Sequence, residues 1–167
     1  MSAELTELFK HNVWANLRLL DACEKLTDEQ LDAAFPGTYG SIRNTLVHLA
    51  GAEELYVNML LGRPRPPRRE EDGFQSFEHL RDLLTGTGQE LINLAQNNTI
   101  SESYLDTAES EELAGSMIVI QAINHATEHR AHINSIISHL GLEPADLDGW
   151  AYGYTHDLIK TIKPGRQ

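Results

Sequence analysis

Apolar residues recur along this chain at alternating steps of three and four, the spacing of an α-helix that buries one face. Leu5, Phe9, Val13, Leu17 and Leu20 mark a first helix from about Ala3 to Lys25. Thr27 is placed to cap a short helix over Asp28 to Ala34, which Pro36 and Gly37 end. A second long helix is expected from the cap Ser41 to the stop Gly62. Phe77, Leu80, Leu84, Thr87, Leu91 and Leu94 mark a third, which begins after Ser76 and fades at Asn97-Asn98. A polar, acidic connection follows from Thr99 to about Ser110, with a short extended piece at Thr99 to Leu105. The pattern predicts a fourth helix over Ser110 to Leu140, stopped by Gly141 with Pro144 beyond. The tail, Asp146 to Gln167, carries Trp150, Tyr152 and Tyr154 and is expected to end in a short helix at Thr155 to Ile162. Four amphipathic helices of about 20 residues or more make an all-α four-helix bundle. The expectation is a single domain over residues 1–167, with 146–167 as a tail packing on the bundle.

Composition narrows the classes. At 167 residues with 41% hydrophobic positions, the chain can build a core without staples. Its single cysteine, Cys23, allows no internal disulfide, and its place late in the first helix, with no histidine nearby, reads as buried and inert. The start Met1-Ser2-Ala3-Glu4-Leu5 is not that of a signal peptide, and no stretch approaches the roughly 18 apolar residues that span a bilayer. These features predict a cytoplasmic protein without membrane contact. A net charge of −12 disfavours phosphate backbones, so no nucleic-acid partner is expected. The basic run Arg63, Arg65, Arg68 and Arg69, interleaved with Pro64, Pro66 and Pro67, reads as a solvated, proline-stiffened loop, with contact to an anion as the alternative.

The 8 histidines carry the chemistry. On a wheel of about 100° per residue, His125, His129 and His132 fall within roughly 60° of one another, on the side of Ile118, Ala122, Ile136 and Leu140. Thr127, Arg130, Asn134 and Ser138 fall opposite. In the second helix His48 shares an arc with Thr45, Ala52, Leu55 and Met59, while Arg43, Glu54 and Asn58 face outward. Inward imidazoles need partners, since a buried polar group without one costs about 1–3 kcal/mol. Residues at i and i+4 lie close enough for two ring nitrogens to share an ion, and a third from a facing helix leaves coordination positions open. His48, His125 and His129 are the expected ligands. His132 has three readings: replacement ligand, fourth ligand, or support from behind. The competing reading is a set of hydrogen-bonded core histidines without metal. His139 is expected near a helix C-terminus, where the dipole favours it. His11 and His79 fall off the apolar stripes and are expected to face solvent.

Two other metal patterns are weaker. No glutamate has a histidine three residues later, as di-iron bundles require. His125-Ala126-Thr127-Glu128-His129 matches a metalloprotease pattern, but Glu128 points sideways on the wheel.

The segment Asn124-His125-Ala126-Thr127-Glu128-His129-Arg130-Ala131-His132-Ile133 resembles the fourth helix of the DinB/YfiT-like superfamily. Ser41-Ile42-Arg43-Asn44-Thr45-Leu46-Val47-His48-Leu49-Ala50 resembles its second helix, and Asn12-Val13-Trp14-Ala15-Asn16 its first. The resemblance covers nearly the whole chain, and His132 stands where the family commonly has glutamine. It implies an up-down-down-up bundle, a zinc-, nickel- or iron-type ion on His48, His125 and His129, and a homodimer. It also implies chemistry of the thiol S-transferase type on a small-molecule substrate, with a low-molecular-weight thiol as cosubstrate. Arg130 and Asn124 are candidates to orient a ring or a cofactor carboxylate. The alternatives are a metal-dependent hydrolase, with Glu128 as the candidate base, and a non-catalytic metal-binding scaffold dimer.

Overall fold

The computed structural model describes residues 3–106 and 111–160. Four long helices dominate: α1 (Ala3–Cys23), α3 (Ile42–Leu60), α5 (Phe77–Asn97) and α6 (Gly115–His139). Short helices α2 (Asp28–Leu31), α4 (Arg69–Asp72) and α7 (Gly149–Thr155) join or follow them. Local chemistry sets the ends. The Thr27 hydroxyl accepts from the Gln30 amide while the Gln30 side chain accepts from the Thr27 amide, a reciprocal cap on α2. Ser41 and Ser76 cap α3 and α5 by accepting from the Asn44 and His79 amides. Asn98 closes α5 in the left-handed region, φ 54°, which asparagine tolerates.

Two apolar clusters reveal the direction of each helix. One joins Leu19 and Leu20 late in α1, Ile42 and Leu46 early in α3, Leu80 and Leu84 early in α5, and Ile133 and Ile136 late in α6. The other joins Phe9, Val57, Leu60, Leu91, Leu94 and Ile118, from the opposite ends of the same helices. Helices α1 and α6 therefore run one way and α3 and α5 the other, an up-down-down-up bundle. Because α3 and α5 are parallel, residues 61–76 must travel back along the bundle. They pass over α3 at Gly51, where an added Cβ would lie 3.0 Å from Cβ of Arg69.

Between the two clusters lies a buried polar layer built from all four long helices. Glu53 of α3 is 3% exposed and Arg130 of α6 is 4% exposed. Arginine can only donate, so the Asn12 and Asn16 carbonyl oxygens face it and accept from Nη1 at 2.7 Å each. Their amide nitrogens then donate to Oε2 of Glu53 at 2.8 and 3.0 Å. Thr87 of α5 completes the layer with a hydroxyl 2.6 Å from Oε1 of Glu53. Burial pushes the Glu53 carboxyl upward, against the hydrogen bonds from Thr87, Asn12 and Asn16 and the charge of Arg130. Burial likewise draws the Arg130 guanidinium down to about 10, opposed by Glu53. At this level α1 and α5 approach closely: a Cβ on Gly88 would lie 2.1 Å from Cγ2 of Val13.

Several expectations are corrected. Arg130, placed outward by its position on the wheel opposite the histidines, is in the core, on the side of Ala126, Ile133 and Ile137. The fourth helix begins at Gly115 rather than Ser110: Glu111–Ala114 forms strand β2, antiparallel to β1 (Ser103–Asp106), while Ser110 lies outside the described residues. Of the extended piece expected at 99–105, residues 103–105 lie in this β1 and 99–102 do not. The last helix is α7, set by Asp148, whose carboxylate accepts from the Trp150 and Ala151 amides; no helix follows at 155–160, and 161–162 lie outside the described residues. Tyr152 of α7 is buried and donates to Glu7 at 2.6 Å, which docks α7 on α1, while Trp150 and Tyr154 stay exposed. The first helix ends at Cys23, whose thiol burial pushes up to about 12. No helix among the described residues is long and apolar enough to cross a membrane.

Removing one partner from a buried charged network typically costs about 3–5 kcal/mol. Arg130→Met should lower the free energy of urea unfolding by that order, and Glu53→Leu in the same chain should recover part of the loss. A single-variant loss under about 1 kcal/mol would show that the layer is not what holds the helices together.

Candidate metal centre

Helices α3 and α6 pack against each other, and that contact brings His48 to His125 and His129. The three Nε2 atoms converge: His125 Nε2 lies 3.0 Å from that of His48 and 3.1 Å from that of His129. One ligand atom from each residue falls within 4.8 Å of the others. Nitrogens about 2.0–2.1 Å from a shared tetrahedral ion would stand roughly 3.3 Å apart.

The other ring nitrogens decide what this convergence can hold. Nδ1 of His48 lies 2.6 Å from Oε1 of Glu70, on α4. Desolvation alone would raise the Glu70 carboxyl. The hydrogen bond from His48, a backbone bond and the charges of His48 and Arg68 outweigh it and hold Glu70 below the usual carboxylate range. Ionised Glu70 only accepts, so the proton of neutral His48 sits on Nδ1 and its Nε2 presents a lone pair. Behind His129, the His132 Nδ1 lies 3.4 Å from its Nδ1. Burial and the neighbouring His129 and His48 draw His125 down to about 4, and burial with His48 and His132 does the same to His129. His125 and His129 are then neutral at pH 7. A single N–H on His125 cannot serve both of its Nε2 contacts at full strength. A cation serves all three lone pairs together, so the residues fit a divalent ion.

The site sits at the edge of the core. His129 is buried, but His48 and His125 are half-buried, and the centre of the α3 stripe is Leu46, Leu49, Glu53 and Val57 instead. The arc His48, Ala52 and Leu55 lines a cavity of about 440 Å³, together with Tyr56, His125 and the crossing residues Arg65 to Glu70. Tyr39 stacks on the His48 ring at 4.1 Å between centroids and meets His129 edge-on at 4.9 Å.

A family model described as the DinB family matches residues 1–162. The chain belongs to the DinB family. Protein DinB of Bacillus subtilis strain 168 is 22% identical over 180 residues, covering 98% of this chain and 99% of the relative. Among solved structures, YfiT from Bacillus subtilis is similar with a TM-score of 0.67 and 18% identity, over 86% of this chain and 91% of its own. That protein is described as a probable metal-dependent hydrolase with an unusual four-helix bundle topology. The likeness shows a shared fold.

Within this DinB-family chain the remaining candidates fall elsewhere. His132 stands behind His129, on the ring nitrogen away from the convergence. Arg130 is bound into the core layer, so it cannot orient a ring or a cofactor from the cavity. Asn124 and Glu128 are exposed and outside the cavity lining. His139 donates Nδ1–H to the Ser135 carbonyl near the end of α6, and His79 is exposed. His11, expected in solvent, is half-buried: its Nε2 donates to the Leu147 carbonyl at 2.9 Å and its ring contacts Trp14 and Tyr152. The arginine run is exposed at Arg63, Arg65 and Arg68, as a solvated loop would be, but three of its four arginines are paired. Arg69 grips both oxygens of Glu54 at 2.7 Å, Arg65 pairs with Asp106, and Arg63 with Glu90. Sequence reading missed Glu70, Tyr39 and Glu53. Glu70 lies 22 residues from His48 in a segment without periodicity, so only the fold joins them.

Histidines held at about 4 rather than the ordinary 6.5 give a signed pH dependence. Between those values the unfolded chain binds protons that the folded metal-free chain does not, so stability falls as pH drops from about 6.5 towards 4. The thermal midpoint of metal-free protein, followed by circular dichroism, should drop across that window. In a His125→Gln/His129→Gln variant the drop should be smaller; an equal drop would assign it to other groups.

Proposed function

We propose that this chain is a divalent-metal-dependent enzyme of the thiol S-transferase type, with the ion on His48, His125 and His129. The convergence of three imidazole Nε2 atoms on the wall of an open cavity carries this reading. Membership of the DinB family and the description of YfiT as a probable metal-dependent hydrolase support metal dependence. A zinc-, nickel- or iron-type ion suits imidazole donors, and when bound it supplies Lewis acidity that lowers the pKa of a thiol beside it.

The cavity's acids favour a thiol over hydrolysis. The carboxylate that lines it, Glu70, already accepts from His48, and Glu128 is exposed. A water nucleophile calls for a nearby base, whereas a thiol with a lowered pKa needs none. In the transfer, sulfur forms a bond to the electrophilic carbon of a small substrate. The leaving group departs with its bonding pair, and the thiol proton passes to solvent. Ala52, Leu55 and Tyr56 give that space an apolar side against which the substrate's carbon skeleton can rest. The description of YfiT favours the second reading, hydrolysis at the same ion.

Metal analysis on untagged protein tests the site. Wild type should carry one ion per chain, and His48→Ala and His125→Ala should lose it; full metal content in both variants would sink the assignment. On loaded wild type, consumption of a low-molecular-weight thiol by 1-chloro-2,4-dinitrobenzene, absent in His125→Ala, supports transfer. Ester cleavage without thiol consumption would leave the hydrolase reading standing.

A further inference from the structure

We infer that the cavity beside the three histidines takes a small carboxylate-bearing molecule, its carboxylate held by Arg68 while its reacting group faces the imidazole nitrogens. The second contact point rests on the metal reading proposed above.

A chain of net charge −12 repels anions as a whole, yet it places arginines of the crossing segment on the wall of this one cavity. Their partners separate them. Arg69 is committed to Glu54 through two bonds at 2.7 Å, and Arg65 to the buried carboxylate of Asp106. Glu70, the acid on the same wall, is committed to His48. Arg68 lies between these groups, exposed, with no carboxylate in ion-pair contact among the described residues. Its charge is felt by Glu70, which bonds the His48 ring, and by Tyr39, which stacks on that ring. Arg68 is therefore on the same cavity wall as His48 and His125, within electrostatic reach of Glu70 and Tyr39, and carries no ion pair among the described residues.

The backbone holds it there. Pro66 and Pro67 restrict the chain before Arg68, and the Arg69–Glu54 clamp fixes the residue after it. An anchor ordered before the ligand arrives spends less binding energy on ordering. A planar guanidinium matches a carboxylate through two parallel hydrogen bonds. A phosphate ester would bring nearly twice the charge against one uncommitted cation with Glu70 close by, so the carboxylate is the better fit. The cavity, about 440 Å³, lies within the usual range for small-molecule sites, roughly 300–1,000 Å³.

Isothermal titration of metal-loaded protein with 3-mercaptopropionate and with its uncharged amide tests this. Wild type should bind the carboxylate about tenfold more tightly, a difference of about 1.4 kcal/mol. Arg68→Gln should remove the preference, Arg68→Lys should keep part of it, and both should retain full metal. Arg18→Gln, which removes a charge lying over the Trp14 ring, should leave the preference intact. Equal binding of acid and amide by loaded wild type, a preference that survives Arg68→Gln, or the same loss in Arg18→Gln would overturn the inference while leaving the metal reading in place. Displacement of the probe by inorganic phosphate at equal concentration would overturn the choice of carboxylate. Wild type that takes up no metal would overturn both.

Discussion

The buried carboxylate of Glu53 fixes how the four long helices sit against one another. Asn12 and Asn16 from α1 and Thr87 from α5 meet it, and the two asparagines carry the contact on to Arg130 of α6. Apolar faces can slide by a turn and still bury similar area. A buried charge cannot, because every lost hydrogen bond leaves a desolvated group behind, and setting register is the best-attested use of such groups. The layer divides the core into two apolar halves and ties α3 to α6 at one level. Its consequence for chemistry is direct. His48 lies five residues before Glu53, about 7.5 Å along the helix axis, and His129 is next to Arg130. The register that satisfies Glu53 is therefore the one in which the imidazoles meet.

The topology supplies the rest of the site. An up-down-up-down bundle joins neighbouring helices by short loops at the ends. Here α3 and α5 are parallel, so residues 61–76 run back past the middle of α3, at Gly51, before α5 begins. That passage delivers Glu70 to His48 and walls the cavity with Arg65, Pro66, Pro67, Arg68 and Arg69. The Arg69–Glu54 clamp and the Arg63–Glu90 and Arg65–Asp106 pairs hold the segment on α3, α5 and β1. The connection that a parallel pair requires is thus also the wall of the site.

The long helices and the three histidines were legible because both depend on local spacing. Leu80, Leu84, Leu91 and Leu94 report one helical face without any partner helix, and His125 with His129 needs only the i, i+4 rule. Arg130 and Glu53 were not legible. A wheel centred on the histidines put Arg130 on the far side, and it cannot know that the buried face also takes in Ala126, Ile133 and Ile137 or that a facing helix offers two amides. A faint signal existed: Asn12 and Asn16, four apart, interrupt an otherwise apolar face in the first helix. Glu70 carried no signal, since a carboxylate in a segment rich in arginine and proline resembles any solvated loop. The misplaced final helix reflects weighting. Asp148 was a good cap, but Gly149 and Gly153 depress helix propensity, and docking by Tyr152 outweighs that deficit.

The support behind the three rings is unequal, and the inequality bears on what the cavity accepts. Glu70 fixes His48 through a carboxylate hydrogen bond, His132 stands behind His129 at a longer 3.4 Å, and His125 meets the edge of Tyr56. A carboxylate on one side of an imidazole makes the other nitrogen a stronger donor and adds one negative charge behind the ligand. Imidazole is an uncharged ligand, so a divalent ion held by three of them would keep its full charge, and Glu70 would offset only half of it. The surplus faces the open side, where Arg68 adds another positive charge. Within an acidic chain this is a local reversal of sign. With an ion bound as proposed, it would disfavour cationic occupants next to the histidines and favour the ionised thiol or acid-bearing substrate inferred above. The same charge that holds His48 in place would thus also temper the site's attraction for anions.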